Sequence, residues 1–251
     1  TRKRWEFRPE LIRKMIRFGA PAGFQTFIDV GAWTMVSFLI GHLGPAALAA
    51  SVIALSINNI YFVPLLGLSD STAIVVGQYI GRQRHGIAQQ AAYRAWRISA
   101  VYAFCGVLVY LLMPGTLAEF FSPAQQSSVD FDEVCRICVG VLAAAALFNA
   151  SDSIKFIFMG AMRGAGDTVA IFLLNSLTAW GLLVPGTLLL TLVFHASIYA
   201  VWGFVALVCI IDAMIFLWRF QSGKWKSIQL ISRTEAEPLE VEKSVYERIT
   251  S

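Results

Sequence analysis

Long apolar stretches separated by short polar ones dominate the pattern of this chain. About 20 helical residues, at about 1.5 Å each, cross roughly 30 Å of membrane hydrocarbon. Six stretches can be drawn on that basis: Phe18–Ile40, Ala46–Ile80, Ile98–Met113, Val134–Gly160, Val169–Phe194 and Ile198–Trp218. The third is the shortest and the second is longer than a bilayer needs. The pattern predicts an all-α integral membrane protein, built as a bundle of six transmembrane helices.

Composition agrees with this class. The 251 residues are 57% hydrophobic and only 14% charged, whereas about a quarter of a soluble domain is charged. The net charge of +4 raises the question of nucleic acid, but the basic residues stand between apolar runs. Membrane topology accounts for that placement, so no nucleic-acid partner is expected.

Lysine and arginine mark one side of the membrane. They precede the first span, join the second to the third and the fourth to the fifth, and follow the sixth. The loops "GHLGP", "PGTLAEFFSPAQQSSVDFDE" and "HAS" contain none. The positive-inside rule therefore predicts a multi-pass protein of the cell membrane with both termini in the cytoplasm. Residues 1–17 are predicted as a basic interfacial linker helix, 18–222 as the six-helix lobe and 223–251 as a polar cytoplasmic tail.

Glycine and proline predict how these helices pack. The segments "GAPAG", "GQYIG" and "GAMRG" each hold G-x-x-x-G, which favours close contact between helices. Pro21, Pro64 and Pro185 fall inside spans, where proline removes a backbone donor and is expected to kink or break a helix.

Four charged residues lie well inside the spans, where each costs at least about 2.5–3.5 kcal/mol and so needs a reason. Asp29 is twelve residues past Arg17, about 18 Å deep, and Asp152 is eleven before Arg163, about 16 Å deep. These depths agree, so the two carboxylates are expected to face each other near the midplane. Asp212, about 10 Å from Arg219, is expected to reach headgroups or water.

Lys155, the fourth charge, follows Asp152 by three residues. At that spacing the two side chains are neighbours on a helix, so we expect them to form an ion pair. Such a pair would compete with any other cation at Asp152. Lys155 and Asp212 are therefore interpreted as charges that modulate the two midplane carboxylates.

Helical spacing adds candidates for a substrate cavity. Gln25 and Trp33 share a face with Asp29, and Asn149 and Phe156 share one with Asp152. Trp33 and Trp180 stand far from either membrane interface, where a ring face can attract an organic cation. The predicted cavity therefore consists of five residues: Gln25, Trp33, Asn149, Phe156 and Trp180.

The segments "FGAPAGFQTFIDVGAW", "LGPAALAA", "GLSDSTAIVVGQYIGR", "RGAGDT" and "VWGFVALV" resemble, in order and spacing, the carboxyl-terminal lobe of multidrug and toxic compound extrusion (MATE) transporters. The resemblance implies one lobe of a twelve-helix transporter, in which two six-helix lobes surround a central cleft. It also implies a partner, either an amino-terminal lobe or a second copy of this chain, within membrane lipid.

The resemblance further implies a secondary active antiporter that exports organic cations or other drugs against a proton or sodium gradient. Asp29 and Asp152 fall on acidic positions of the family that are implicated in cation binding, so sodium at these two residues is one candidate and a proton the other. No cofactor is implied beyond this coupling ion. At position 155 the family usually has a neutral polar residue, whereas this chain has Lys155.

Two other functions stay open at this point. A lipid-linked oligosaccharide flippase shares the helical architecture but needs cations in its cleft, for which Lys155 is the one candidate. A scaffold lobe without transport of its own is the other. The chain holds no H-E-x-x-H, G-x-S-x-G or phosphate-loop motif, so an enzyme is not expected.

Overall fold

A computed structural model of the chain describes residues 9–120 and 131–227, and describes side chains from residue 23 onward. Within these ranges the protein is helical. Its helices are α1 (Pro9–Gly41), α2 (Pro45–Gly81), α3 (His85–Leu112), α4 (Pro114–Phe120), α5 (Phe131–Gly164), α6 (Thr168–Thr178), α7 (Val184–Leu188) and α8 (Ile198–Gln221).

Six helical segments are long and apolar enough to cross a membrane, which confirms the predicted fold class. The third, α3, begins at His85 rather than at the predicted Ile98. Hydropathy missed its first turns because they are polar. A short helix that the pattern did not predict, α4, follows it. Helix α1 begins at Pro9, so residues 9–17 of the predicted linker form one continuous helix with the first span.

The fifth span shows where proline changes the helix. Pro185 lies in α7, and two π-helical turns, Ala179–Leu183 and Leu189–Val193, flank that helix. Proline has no backbone N–H and so cannot make the usual helical hydrogen bond. A π turn widens the helix locally and lets the neighbouring backbone groups pair in a different register. The helices continue through Pro21 and Pro64, so the expected break does not occur at these two positions.

Glycine brings α5 close to α2. A Cβ atom at Gly160 would clash with the backbone carbonyl of Ser69, and one at Gly164 would clash with that of Ala73. The predicted close packing of "GAMRG" is therefore confirmed. Gly23, at the end of "GAPAG", has no neighbouring atom within 4 Å of such a Cβ.

The interior of the bundle consists of two apolar cores with polar residues between them. One core includes Leu142 and Trp202, and the other includes Phe158 and Phe220. Helices α2, α5 and α8 contribute to both cores and carry polar residues where they pass from one to the other. We call the intervening residues the polar layer: Asp29, Ser69, Thr72, Ser99, Asp152, Lys155, Asn175, Thr178 and Asp212.

A short 3₁₀ helix, Lys224–Ser227, follows α8 and returns to the bundle. The buried ring of Trp225 stacks on Phe220 with centroids 5.1 Å apart, and its indole N–H donates to the Phe220 carbonyl. The first residues of the predicted tail therefore pack against the second core. Residues 1–8 of the predicted linker and 228–251 of the tail lie outside the described residues.

Candidate cation-coupling site

The ammonium of Lys155 is at the centre of the polar layer. Its Nζ atom lies 2.5 Å from Asp212 Oδ2, which joins α5 to α8 by an ion pair. The rings of Phe156 and Phe216 lie with their centroids 5.6 Å and 5.9 Å from the same nitrogen. Ring faces attract a cation, so carboxylate and rings together compensate for burying the ammonium.

This geometry corrects two predictions. Lys155 pairs with Asp212 rather than with Asp152, and Asp212 is buried rather than directed to headgroups or water. The side chain of Lys155 is long enough to cross to the neighbouring helix, where the facing position of α8 holds a carboxylate. Spacing along one helix cannot reveal a partner on another.

Thr178 of α6 binds the other oxygen of the same carboxylate. Its hydroxyl lies 3.0 Å from Asp212 Oδ1, and the backbone carbonyls of Leu174 and Asn175 are each 3.1 Å away. A hydroxyl carries a single proton, so these three acceptors compete for it. Both oxygens of Asp212 thus have partners, one on α5 and one on α6.

Asp29 of α1 accepts a hydrogen bond from the side-chain amide of Asn175. Its side chain is half-buried, and it interacts electrostatically with both Lys155 and Asp212. Asp29 is therefore the member of the polar layer that joins α1 to α6 while remaining reachable from the surface of the lobe.

Asp152 is buried, at 8% exposure, and the charges of Lys155 and Asp212 lie near enough to act on its carboxylate. Among the described residues no hydrogen-bond donor and no ion-pair partner contacts its carboxylate. A buried carboxylate without a direct partner is costly when ionised. Of the three acids, Asp152 is thus the one whose charge is least compensated.

The predicted cavity residues on α5, Asn149 and Phe156, lie on either side of Asp152 and Lys155 along the helix. Asn149 is fully buried and its amide has no hydrogen-bond partner in the described part of the chain. Phe156 packs edge-on against Phe62 at 4.6 Å and also approaches the Lys155 ammonium. This predicted cavity residue is thus near a cation of the protein itself.

The predicted cavity residues of α1 and the fifth span have mainly structural contacts. The amide of Gln25 lies 3.8 Å from the sulfur of Met159, and Trp33 packs against the first core. Trp180 is 45% exposed and its indole N–H donates to the Ile28 carbonyl at 3.2 Å. Trp180 therefore presents its ring at the surface, while Trp33 belongs to the packed interior.

Sequence reasoning missed Asn175 and Thr178. Both are polar residues in the apolar run "FLLNSLT", three positions apart and so on one face of α6. That spacing was a usable signal, because two polar side chains on one face of a membrane helix need partners.

A second ion pair lies near the end of the bundle. The guanidinium of Arg219, at the end of α8, forms bidentate hydrogen bonds of 2.9–3.2 Å with the buried Asp167 carboxylate. Asp167 precedes α6, so this pair fixes the α5–α6 turn to α8. Arg163 and Asp70 form a more exposed pair between α5 and α2.

For a metal ion, the described residues contain no group of three or more histidine, cysteine or acidic side chains in position to bind one. The acids of the polar layer engage protein donors instead, at Asp212 and Asp29. Sodium at Asp29 and Asp152 stays a prediction.

Curated relatives match this chain over much of its length. A probable multidrug resistance protein NorM of Pseudomonas putida is 28% identical over 235 residues, which are 91% of this chain and 50% of the relative. A multidrug resistance protein MdtK of Proteus mirabilis is 27% identical over 179 residues, 71% of this chain and 38% of the relative. The chain therefore spans half or less of the length of these relatives.

Solved structures share the fold. A MOP superfamily transporter from Pyrococcus furiosus superposes with a TM-score of 0.80, and an outward-facing multidrug resistance MATE family transporter with 0.79. Each is 17% identical and matches 91% of this chain and 50% of its own. The profile of the MatE family matches residues 21–189. The chain belongs to the MatE family of transporters and forms roughly one lobe of their fold.

Proposed function

We propose that this chain is one lobe of a secondary active multidrug efflux antiporter, which exports organic cations or drugs as a coupling cation flows inward. Asp29 and Asp152 are the carboxylates that bind the coupling cation. The observation that carries the proposal is Asp152, a buried acid in a membrane-spanning helix that no described donor contacts. Such a group is costly unless it binds something.

The names of the relatives support the substrate class. Proteins called multidrug resistance NorM and MdtK are similar to 91% and 71% of this chain. The exposed ring of Trp180 and the half-buried Asp29 provide a ring face and a negative charge, the two features that attract an organic cation.

A second lobe completes the transporter in this proposal, either an amino-terminal lobe or a second copy of the chain. The relatives are about twice as long as the part matched here. Native mass spectrometry of the detergent-solubilised gene product tests this. A single copy with the mass of one six-span lobe would contradict the proposal.

The flippase alternative loses its support. It depended on Lys155 as a cation for a pyrophosphate, and that ammonium already pairs with Asp212. No further free cation of the described polar layer takes its place.

Ethidium efflux from cells that express the full gene product tests the proposed function. Asp152→Asn should reduce efflux to below a tenth of wild type, because the neutral amide cannot take up a proton and lacks the negative charge that holds a metal cation. Asp70→Asn is the matched control, since Asp70 is an exposed acid in α2. Immunoblots of the membrane fraction show that both variants insert. Unchanged efflux in Asp152→Asn would leave this acid a structural group.

We also propose that both termini are cytoplasmic, from the distribution of lysine and arginine. His42 and Ser222 are exposed and lie at opposite ends of the bundle by the alternation of spans. In a background without the four native cysteines that retains efflux, an impermeant thiol reagent applied outside should label His42→Cys and spare Ser222→Cys. The reverse labelling would invert the topology.

A further inference from the structure

We propose that the ammonium of Lys155 is a built-in cation that occupies the place of a metal ion among Asp29, Asp152 and Asp212, so that this lobe is driven by protons and not by sodium. The inference rests on the proposed function and adds to it the identity of the coupling ion. It makes Lys155 a residue that determines ion specificity.

The first argument is position. Lys155 Nζ forms its ion pair with Asp212 of α8. Its charge also acts at longer range on Asp152 of the same helix and on Asp29 of α1. Two phenyl rings enclose it. A monovalent cation bound between these acids would experience the same attractions, and the ammonium already provides one positive charge there.

The second argument concerns ligand atoms. Hard metal cations need several oxygen ligands arranged around them. Both Asp212 oxygens have protein partners, and Asp29 Oδ1 accepts from Asn175. Sodium would have to displace these contacts while standing close to an ammonium, whose charge repels it.

A proton meets neither obstacle. It binds one carboxylate oxygen, needs no shell of ligands, and neutralises the acid on which it lands. Asp152 is the acid without a described partner, so it can accept a proton while the Lys155–Asp212 pair stays intact. Asp29 can accept another, because the half-buried side chain is reachable from the surface of the lobe.

Titratable groups surround Lys155 from four of the five helices of the site, and α6 contributes uncharged polar groups. The titratable groups are Asp29 of α1, Asp152 of α5 and Asp212 and Cys209 of α8, and Tyr61 of α2 interacts with Asp152. The contribution of α6, Asn175 and Thr178, is uncharged. Once Lys155 neutralises Asp212, two carboxylates remain, so the site carries at most two coupling protons.

The test uses the purified full-length gene product in liposomes, with tetraphenylphosphonium as the transported probe. One set of liposomes has a pH gradient in choline buffer without sodium, and another has a sodium gradient at equal pH. For wild type we expect uptake with the pH gradient, and less than a tenth of that rate with the sodium gradient. A sodium gradient that drives wild type as well as the pH gradient does would overturn the proposal.

Removing the ammonium should create sodium sensitivity. With Lys155→Gln, ²²Na⁺ binding to the purified protein should rise at least tenfold over wild type, and Lys155→Arg, which keeps the charge, should bind no more than wild type. Lys226→Gln is the matched control, because Lys226 is an exposed lysine that contacts Gln89 at 2.8 Å. Should Lys155→Gln not fold, the double variant Lys155→Gln/Asp212→Asn replaces it, since it also removes the Asp212 carboxylate that would otherwise lose its ion-pair partner.

The two readouts separate the two proposals. Absence of uptake under both gradients would reject the antiporter, yet a gain of ²²Na⁺ binding on loss of Lys155 would still support the built-in cation. No gain of sodium binding in either Lys155 variant that lacks the ammonium would overturn the inference even if proton-driven uptake is confirmed.

Discussion

The bundle contains a tightly packed part and a loosely packed part. In α5, which packs between α2 and α8, seventeen of 34 residues are buried. In the 19 residues of α1 from Gly23 to Gly41, five are buried. The fifth span, against which α1 lies, is interrupted by two π turns.

The polar layer crosses the junction of these two parts. Asp152, Lys155 and Asp212 belong to the tight part, whereas Asp29, Asn175 and Thr178 belong to the loose part. The Thr178–Asp212 hydrogen bond connects them. A shift of α1 and α6 would therefore change the surroundings of Asp29 while the Lys155–Asp212 pair stays intact. We expect changes in the tight part to lower stability, and changes in the loose part to alter transport first.

The largest expected effect is loss of one partner of the central pair. Lys155→Met should lower the free energy of unfolding by about 3–5 kcal/mol, because it leaves the Asp212 carboxylate buried and unpaired. The double variant Lys155→Met/Asp212→Leu should recover most of that loss. Unfolding in mixed micelles with rising dodecyl sulfate measures both. Equal losses in the single and double variants would show that the pair does not stabilise the tight part.

Close packing of α5 on α2 gives the next effect. Gly164→Ala places a methyl group against the Ala73 carbonyl and should cost about 1–3 kcal/mol. Gly67→Ala is the matched control, because nothing lies within 4 Å of a Cβ there. It should be neutral, or more stable by about 0.5–1 kcal/mol, as alanine is the better helix former. Equal melting temperatures for the two variants would contradict the close contact.

In the loose part, Asn175→Leu should affect transport more than stability. Water can replace the amide at the half-buried Asp29, so the cost in unfolding free energy should be no more than about 1 kcal/mol. Ethidium efflux should fall at least threefold, because Asp29 loses the contact that orients it. Asn59→Leu, at an exposed position of α2, should leave both measurements near wild type. A stability loss in Asn175→Leu as large as that of Gly164→Ala would place α6 in the tight part.

The smallest effect is expected for Trp180→Phe, which keeps a ring and removes the indole N–H. That group donates one hydrogen bond to the Ile28 carbonyl at a partly exposed site, so the loss should be below about 1 kcal/mol. The melting temperature in detergent measures it. A loss of several kcal/mol would mean that α1 is held to the fifth span more firmly than its burial indicates.

Much of the fold follows from the sequence, because each helix must cross the same hydrocarbon thickness. Hydropathy located six spans, and counting from the nearest basic residue estimated the depth of each internal charge. The same count applied to Lys155 and Asp212 places them about 12 Å and 10 Å deep, eight residues before Arg163 and seven before Arg219. Their pairing was therefore compatible with their depths.

Only the tertiary structure decided which of these charges meet. Depth fixes a residue along the membrane normal, but the rotation of each helix and its choice of neighbour depend on how surfaces fit. The contacts of Gly160 and Gly164 with α2 are one such fit, and they help set the face of α5 that meets α8. The sequence by itself thus determined a six-span MATE lobe with acidic residues inside its spans. Packing between helices joined Lys155 to Asp212 and gave Asp152 no direct partner among the residues that the structure describes.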